Sequence, residues 1–491
     1  MQLEPVSPNH PSPGIRLANI LASKDVKDQF APRSSLWAMI VQRVNLLGAA
    51  GWVTGTFTVQ QVLRLATSVV LARLLAPELL GTMVLINALR TGGELLTDLG
   101  IGQSVVKDPR GDDPVFYNTA WTIQIIRGVI LFVAALLVTV PLSHVYQNSQ
   151  LLYLLPLAAS MFVINGFSSP ASYLLQKRLA LRQLALYSAW TAVASSAIHI
   201  ALAMLTPTIW ALVGGLLISA VISVVGSYFL MDNRNLAFRF DKQSRDAILH
   251  FGKWVFASSI IYFAAMNFDR LYFAKAVPLA VLGVYGIART LADTISLLTQ
   301  RLGTLVVFPK VSSSQMGAAD LRDRILPLRR VALVFLAIGL AGAVALSDKF
   351  IFVTYDVRYR AAAVYLPVML IGTWFSILAS FADAMLMGIG KPSNVAFANA
   401  AKLLTVLLIV PQVLHRGGML AAVCAFAAAE LVRYGVLVVQ KRAAGLAFSK
   451  QDIAATLMFV CLVIFWREVT ALVGLTGGLG SWAAQVRGAL A

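Results

Sequence analysis

Charge is scarce in this chain of 491 residues: Asp, Glu, Lys and Arg together make up 13% of it. Soluble globular proteins carry about 25%. With 58% hydrophobic residues, the composition is that of a polytopic membrane protein, and a count of soluble domains does not apply. Cysteine is nearly absent. Cys424 and Cys461 both lie in apolar stretches, which excludes a disulfide framework and a zinc site. The five histidines, at 10, 144, 199, 250 and 415, are scattered without HExxH-type spacing, so no metal is expected. No DxD, no closely spaced Ser–His–Asp set, no cofactor motif and no nucleic-acid motif is present. The opening "MQLEPVSPNHPSPG" is Pro-rich, polar and expected to be disordered; no apolar core follows within reach of a signal peptide.

Long apolar runs are what the chain has. Runs of about 20 such residues mark transmembrane helices. Twelve recur, at 47–70, 81–105, 117–141, 151–173, 184–205, 209–231, 254–276, 281–306, 331–347, 364–388, 393–414 and 418–438. A thirteenth, 453–470, is short, and a fourteenth, 471–486, is Gly-rich. The reading is an all-α polytopic membrane protein with twelve core helices, thirteen or fourteen in all. It divides into an N-terminal tail (1–45), a six-helix lobe (46–231), a linker (232–253), a second six-helix lobe (254–440) and a C-terminal extension (441–491).

The net charge of +18 serves orientation rather than nucleic-acid binding, because the basic residues sit mostly between spans. Lys107, Arg110, Lys177, Arg178, Arg182, Arg234, Arg239, Lys242, Arg245 and Lys253 fall on one side, together with the basic tail. The other side holds Arg73, Lys275, Lys349, Arg358, Arg360 and Arg416. That asymmetry predicts a cytoplasmic N-terminus and a cytoplasmic linker.

A repeat underlies the span count. Residues 52–81 align without gaps on 254–283, an offset of 202, with Trp52/Trp254, Val53/Val255, Ala72/Ala274, Leu80/Leu282 and Gly81/Gly283 identical. An even number of spans per repeat makes the two repeats parallel, related by an axis along the membrane normal. Substrate sites in such transporters lie between the halves.

Charges inside the spans are the candidate functional residues, since an intramembrane ionisable group is costly. Arg90, Arg127, Arg289 and Lys402 fall near the midplane, Arg64, Asp269 and Arg270 away from it, on a rise of about 1.5 Å per residue. Arg301 is close enough to a span end to snorkel. Arg90/Glu94, Arg289/Asp293 and Glu430/Arg433 are three or four apart, so each pair shares a helix face. Such a pair either neutralises itself or serves helix pairing or coupling. Arg64, Arg127 and Lys402 have no acid at that spacing and must face water, another helix or an anionic ligand. Asp269 and Arg270 point about 100° apart, which allows Arg270 to face a cavity while Asp269 pairs with a neighbouring helix. Arginines gathered between two halves would form a cationic chamber, and a planar guanidinium holds phosphate through a donor fork.

"VLARLLAPELLGTMVL", "TDLGIGQSVV", "NFDRLYFAKAVPLAVLGVYGIA", "VVFPKVS" and "MGIGKPSNV" resemble, in order and spacing, the polysaccharide-transporter flippases. These are the Wzx-type exporters of the multidrug/oligosaccharidyl-lipid/polysaccharide superfamily. The resemblance covers residues 45–445 and implies a two-lobed bundle working by alternating access in a bacterial inner membrane. It implies a polyprenyl-diphosphate-linked oligosaccharide as substrate, no cofactor, and work among membrane lipids beside a polysaccharide polymerase and export machinery. By position it implies Arg64, Arg90, Arg270 and Arg289 as headgroup contacts, with Arg127 and Lys402 in the same cationic set. Two other readings stay open at this point. A multidrug or small-solute antiporter on the same fold would depend on its acids rather than its arginines. A membrane polymerase or glycosyltransferase would need a sizeable outer loop, and the longest here is 348–363.

Overall fold

The computed structural model describes residues 32–231, 236–302, 318–389 and 391–490. The expectations for tail residues 1–31, linker residues 232–235, the end of the eighth span with "VVFPKVS", and Gly390 lie outside the described residues. Those described are helical, joined by short turns. The helices are α1 Pro32–Leu74, α2 Pro77–Leu95, α3 Ile101–Lys107, α4 Pro114–Val145, α5 Leu151–Gly166, α6 Ala171–Lys177, α7 Leu181–Leu205 and α8 Ile209–Ser227. They continue with α9 Lys242–Ala276, α10 Leu279–Leu302, α11 Ala318–Thr354, α12 Ala362–Gly388, α13 Pro392–Ala443, α14 Ser449–Leu472 and α15 Leu479–Leu490.

Every expected span coincides with helix, but the second and fourth are broken. The second runs as α2 to Leu95. The chain then turns at Gly100, whose φ of 58° is left-handed and suits glycine. Asp98 Oδ1 accepts from the Gly100 N–H at 2.9 Å, and α3 begins at once. The fourth ends at Gly166 and resumes as α6 after a bend of 55°. The eleventh and twelfth are two limbs of α13, hinged at Gly417 and Gly418, the latter at φ 65°. The extension also needs correcting. α14 has 24 residues, about 36 Å at 1.5 Å per residue, enough to cross a hydrocarbon core of ~30 Å. With 12 residues, α15 is about 18 Å long and too short to span.

Eight helices among the described residues are long and apolar enough to cross a membrane, or nine if the bent pair α5–α6 is one span. α4 shows the lipid-facing pattern: Ile130 and Leu137 are 60% and 75% exposed, apolar surface that suits hydrocarbon. α1 and α2 are not among the eight, and both carry intramembrane charge.

The repeat is visible in three dimensions. A Cβ on Gly81 of α2 would lie 1.9 Å from the Leu279 carbonyl oxygen of α10, and one on Gly283 would lie 2.0 Å from that of Pro77. Pro77 and Leu279 are separated by 202 positions, as are Gly81 and Gly283. The contact is therefore reciprocal, as across a two-fold axis, and the two backbones touch where only glycine fits. At the same end Arg73 donates to the carbonyls of Thr354 (2.7 Å) and Val353 (2.9 Å), at the finish of α11. Tyr359 Oη donates to the Leu75 carbonyl at 3.0 Å. The two repeats are thus sealed together at the Arg73 end.

α14 is fixed to the second repeat along its length. Asp452 pairs with buried Arg329 of α11 near one end, and Arg467 with Asp348 at 2.7 Å near the other. Between them Phe459 stacks on Trp374 of α12 at 4.7 Å, and Trp374 Nε1 donates to Thr456 Oγ1 at 3.1 Å.

Candidate functional site

A cavity of about 890 Å³ lies between the repeats. α1 contributes Gln60, Arg64 and Thr67; α2 contributes Asn87; α9 and α10 contribute Arg270, Thr290 and Asp293. A row of hydroxyl residues on α7 and α8 completes it. Its described lining residues include no Phe, Tyr or Trp. A second cavity of about 680 Å³ shares Asn165 with the first and extends to Lys107 and Gln176, with Arg127, Glu94 and Asp98 on its walls. Beyond it, Lys177 Nζ donates to the Asp108 carbonyl at 2.6 Å, tying α6 to the turn after α3. Partial burial pushes the Asp108 carboxyl up. Hydrogen bonds from Arg110 and the charges of Arg110 and Lys177 outweigh this and hold it below the usual carboxylate range.

The sequence-derived residues separate into three groups. Arg64 and Arg270 face the large cavity. Arg64 Nη2 donates to Thr294 Oγ1 of α10 at 2.7 Å and has no ion pair among the described residues. Arg270 donates to Asn267 Oδ1 at 3.1 Å and to Asp293 Oδ2 at 2.8 Å. Its neighbour Asp269 turns away, 2% exposed, accepting from Tyr285 Oη of α10 at 2.5 Å, with Arg289 Nε 3.5 Å away.

Arg127 and Glu94 belong to the second cavity. Arg90 pairs with Glu94 at 2.7 Å and lines neither. Arg127 donates to Thr97 Oγ1 at 3.1 Å and to the Glu94 carbonyl at 2.5 Å. It therefore caps the C-terminal end of α2, where the helix dipole is negative.

Arg289, Lys402 and Glu430 surround a small void of about 50 Å³ inside the second repeat, with Asp293 shared between it and the main cavity. Lys402 is 3% exposed and meets Glu430 at 2.5 Å. These two lie on opposite limbs of α13, so its glycine hinge creates the pair. Arg289 has Asp293 at 3.1 Å, and Arg433 has Asp383 at 2.5 Å and Glu430 at 3.7 Å. Arg270, Arg289, Lys402 and Arg433 thus each have a carboxylate neighbour. Arg64 and Arg127 have none in ion-pair contact among the described residues.

Sequence reasoning missed Asn87, Asn165 and the hydroxyl row. The row had a signal: Ser188, Thr191, Ser195, Ser196 and His199 fall on one helical face. Asp383 had the signal of any acid inside a span, but its partner Arg433 did not show, and Tyr285 had no signal, because its partner Asp269 lies on another helix.

Comparison with known proteins places this architecture. The model of a family described as "Polysaccharide biosynthesis protein" matches residues 70–364. The teichuronic acid biosynthesis protein TuaB of Bacillus subtilis (strain 168) is 21% identical over 342 residues, 70% of this chain and 71% of that one. The lipopolysaccharide biosynthesis protein WzxC of Escherichia coli (strain K12) is 22% identical over 382 residues, 78% and 77% of the two chains. Among solved structures, the lipid II flippase MurJ in an inward closed conformation aligns with a TM-score of 0.67 at 13% identity, covering 86% of this chain and 95% of MurJ. An inward-facing multidrug resistance MATE family transporter of the MOP superfamily aligns at 0.59 and 15%, covering 82% and 95%. Those two likenesses show the fold, twelve core helices in two repeats.

Proposed function

The chain belongs to the polysaccharide biosynthesis protein family, and on that footing we propose that it is a flippase. It moves a polyprenyl-diphosphate-linked oligosaccharide from the inner to the outer leaflet of a bacterial inner membrane, for export of a surface polysaccharide. The observation that carries this reading is Arg64, a guanidinium on the cavity wall whose fork is held by a hydroxyl rather than by a carboxylate. A diphosphate brought there meets donors not already committed to an acid, and Arg270 is on the same cavity. The prenyl tail stays in lipid.

The Lys107 end faces the cytoplasm, with the N-terminus on that side, and the Arg73 end faces outward. Residues 46–231 and 254–440 rock as two lobes. The outward seal at Gly81 and Gly283 must part to release the headgroup. The chain transports its substrate rather than making or breaking a glycosidic bond.

Two features weigh against the other readings. Drug-sized ligands are usually held by apolar side chains and large aromatic rings, and the described cavity lining has no Phe, Tyr or Trp. The 348–363 stretch is taken up by the end of α11, a short 3₁₀ turn at Val357–Tyr359 and the start of α12, leaving little outer loop for a polymerase. The test is deletion of the gene. Lipid-linked repeat units should accumulate on the cytoplasmic leaflet and polymer synthesis should stall; units that still reached the outer leaflet at the normal rate would defeat the reading.

A further inference from the structure

The large cavity is chemically divided. Its charged side chains, Arg64, Arg270 and Asp293, come from α1, α9 and α10. α7 and α8 present Ser188, Thr191, Ser195, Ser196, His199, Ser219 and Ser223, with no carboxylate and no fixed cation. Hydroxyl residues inside membrane helices commonly serve as glue between helices. That accounts for part of the row: Tyr187 Oη donates to the Ser223 carbonyl at 2.7 Å, binding α7 to α8, and Thr191 Oγ1 donates back to the Tyr187 carbonyl at 3.1 Å. It does not account for the rest. Ser188, Ser195 and Ser196 of α7 are half-buried and line the cavity.

Two groups on this wall are left for a ligand. Ser219 Oγ is buried and has no hydrogen-bond partner among the described residues, a state that buried polar groups rarely keep. His199 Nδ1 lies 2.8 Å from the Ser195 carbonyl. A carbonyl can only accept, so Nδ1 carries the proton, and in its neutral form the ring presents Nε2 as an acceptor. Room for that ring depends on Gly215, where a Cβ would lie 2.9 Å from the imidazole.

We propose that the α7–α8 wall is the saccharide subsite, and that it selects the oligosaccharide while Arg64 and Arg270 hold the diphosphate. Hydroxyls donate and accept, and the neutral imidazole accepts through Nε2, as sugar hydroxyls require. An acidic sugar placed against this wall would lose water and find no cation, so the subsite takes neutral, hydroxyl-rich units. The proposal rests on the flippase reading above.

The test uses the purified full chain in proteoliposomes. Its substrates are the lipid-linked saccharide extracted from cells lacking the chain, and the same lipid trimmed to its first sugar. Arrival in the outer leaflet is read by an added enzyme that cleaves the sugar diphosphate. The triple variant Ser188→Ala, Ser195→Ala, Ser219→Ala should slow the full saccharide about tenfold or more, through lost neutral hydrogen bonds, and the trimmed one by no more than about twofold. Gly215→Ala, which shifts the imidazole and deletes no hydroxyl, should move selectivity the same way and covers the case in which the triple variant does not fold. Equal slowing of both substrates, or of neither, overturns the subsite. A wild-type protein that moves neither substrate overturns the flippase reading itself.

Discussion

Replacing Arg64 by Gln separates binding from stability more cleanly than any other change at the site. The wild-type guanidinium makes one hydrogen bond to Thr294 Oγ1 at 2.7 Å and no ion pair among the described residues. Its removal strands no buried carboxylate, so folding stability should fall by about 1 kcal/mol or less, the net value of one hydrogen bond. The headgroup loses more. Hydrogen bonds to a charged partner contribute about 1.5–3 kcal/mol each, and 1.4 kcal/mol is about a factor of ten. Transport of the lipid-linked saccharide in proteoliposomes should therefore drop about 10- to 150-fold while the melting temperature barely moves. Arg64→Lys keeps the charge without the planar fork and should fall between the two, since a point charge does not replace bidentate recognition. Wild-type transport by a well-folded Arg64→Gln protein would refute the reasoning. Unfolding of that variant would refute its premise, that Arg64 is free of a structural ion pair.

The other predictions concern neighbouring parts of the machine. Arg289→Gln leaves Asp269, buried at 2% exposure, with one charged neighbour fewer, and should cost more stability than Arg64→Gln in a parallel thermal melt, on the order of 3 kcal/mol. Gly81→Ala forces a Cβ to within 1.9 Å of the Leu279 carbonyl oxygen. It should cost about 1–3 kcal/mol of the closed contact and abolish disulfide cross-linking of a Pro77→Cys, Leu279→Cys pair. Arg73→Ala removes the donors to Thr354 and Val353 and should raise labelling of a Ser68→Cys variant, on the α1 wall of the large cavity, by an impermeant maleimide added outside; unchanged labelling would mean the seal does not depend on it. Asp452 also accepts from Lys441 Nζ of α13 at 3.3 Å, so Asp452→Asn leaves Arg329 and Lys441, 1% and 2% exposed, without their shared carboxylate. It should destabilise by about 3–5 kcal/mol, read as a lower melting temperature and proteolysis at α14.

Composition and apolar run length determined that the chain is a bundle of membrane helices and where most of them begin within a few residues, although α1, α9 and α11 start 12 to 15 residues ahead of their apolar runs; an ungapped self-alignment showed that it is built twice. Those properties are local: a helix in lipid must satisfy its own backbone, so a run of apolar residues is already a structural statement. The offset of 202 was legible for the same reason, and so was the different direction taken by Asp269 and Arg270. Tertiary structure alone decided which charges remain available. Lys402 and Arg64 look alike in sequence, each a basic residue with no acid a turn away. The hinge at Gly417 and Gly418 folds Glu430 onto Lys402, whereas among the described residues Arg64 hydrogen-bonds a threonine of α10 and has no ion pair. Partners contributed by distant segments carry no periodic signal, because an ion pair between helices depends on where two chains of different direction cross. The surplus of positive charge was written in the composition; which intramembrane cations stay without an ion pair, Arg64 and Arg127 among the described residues, and the neutral wall beside Arg64, were decided only when the helices packed.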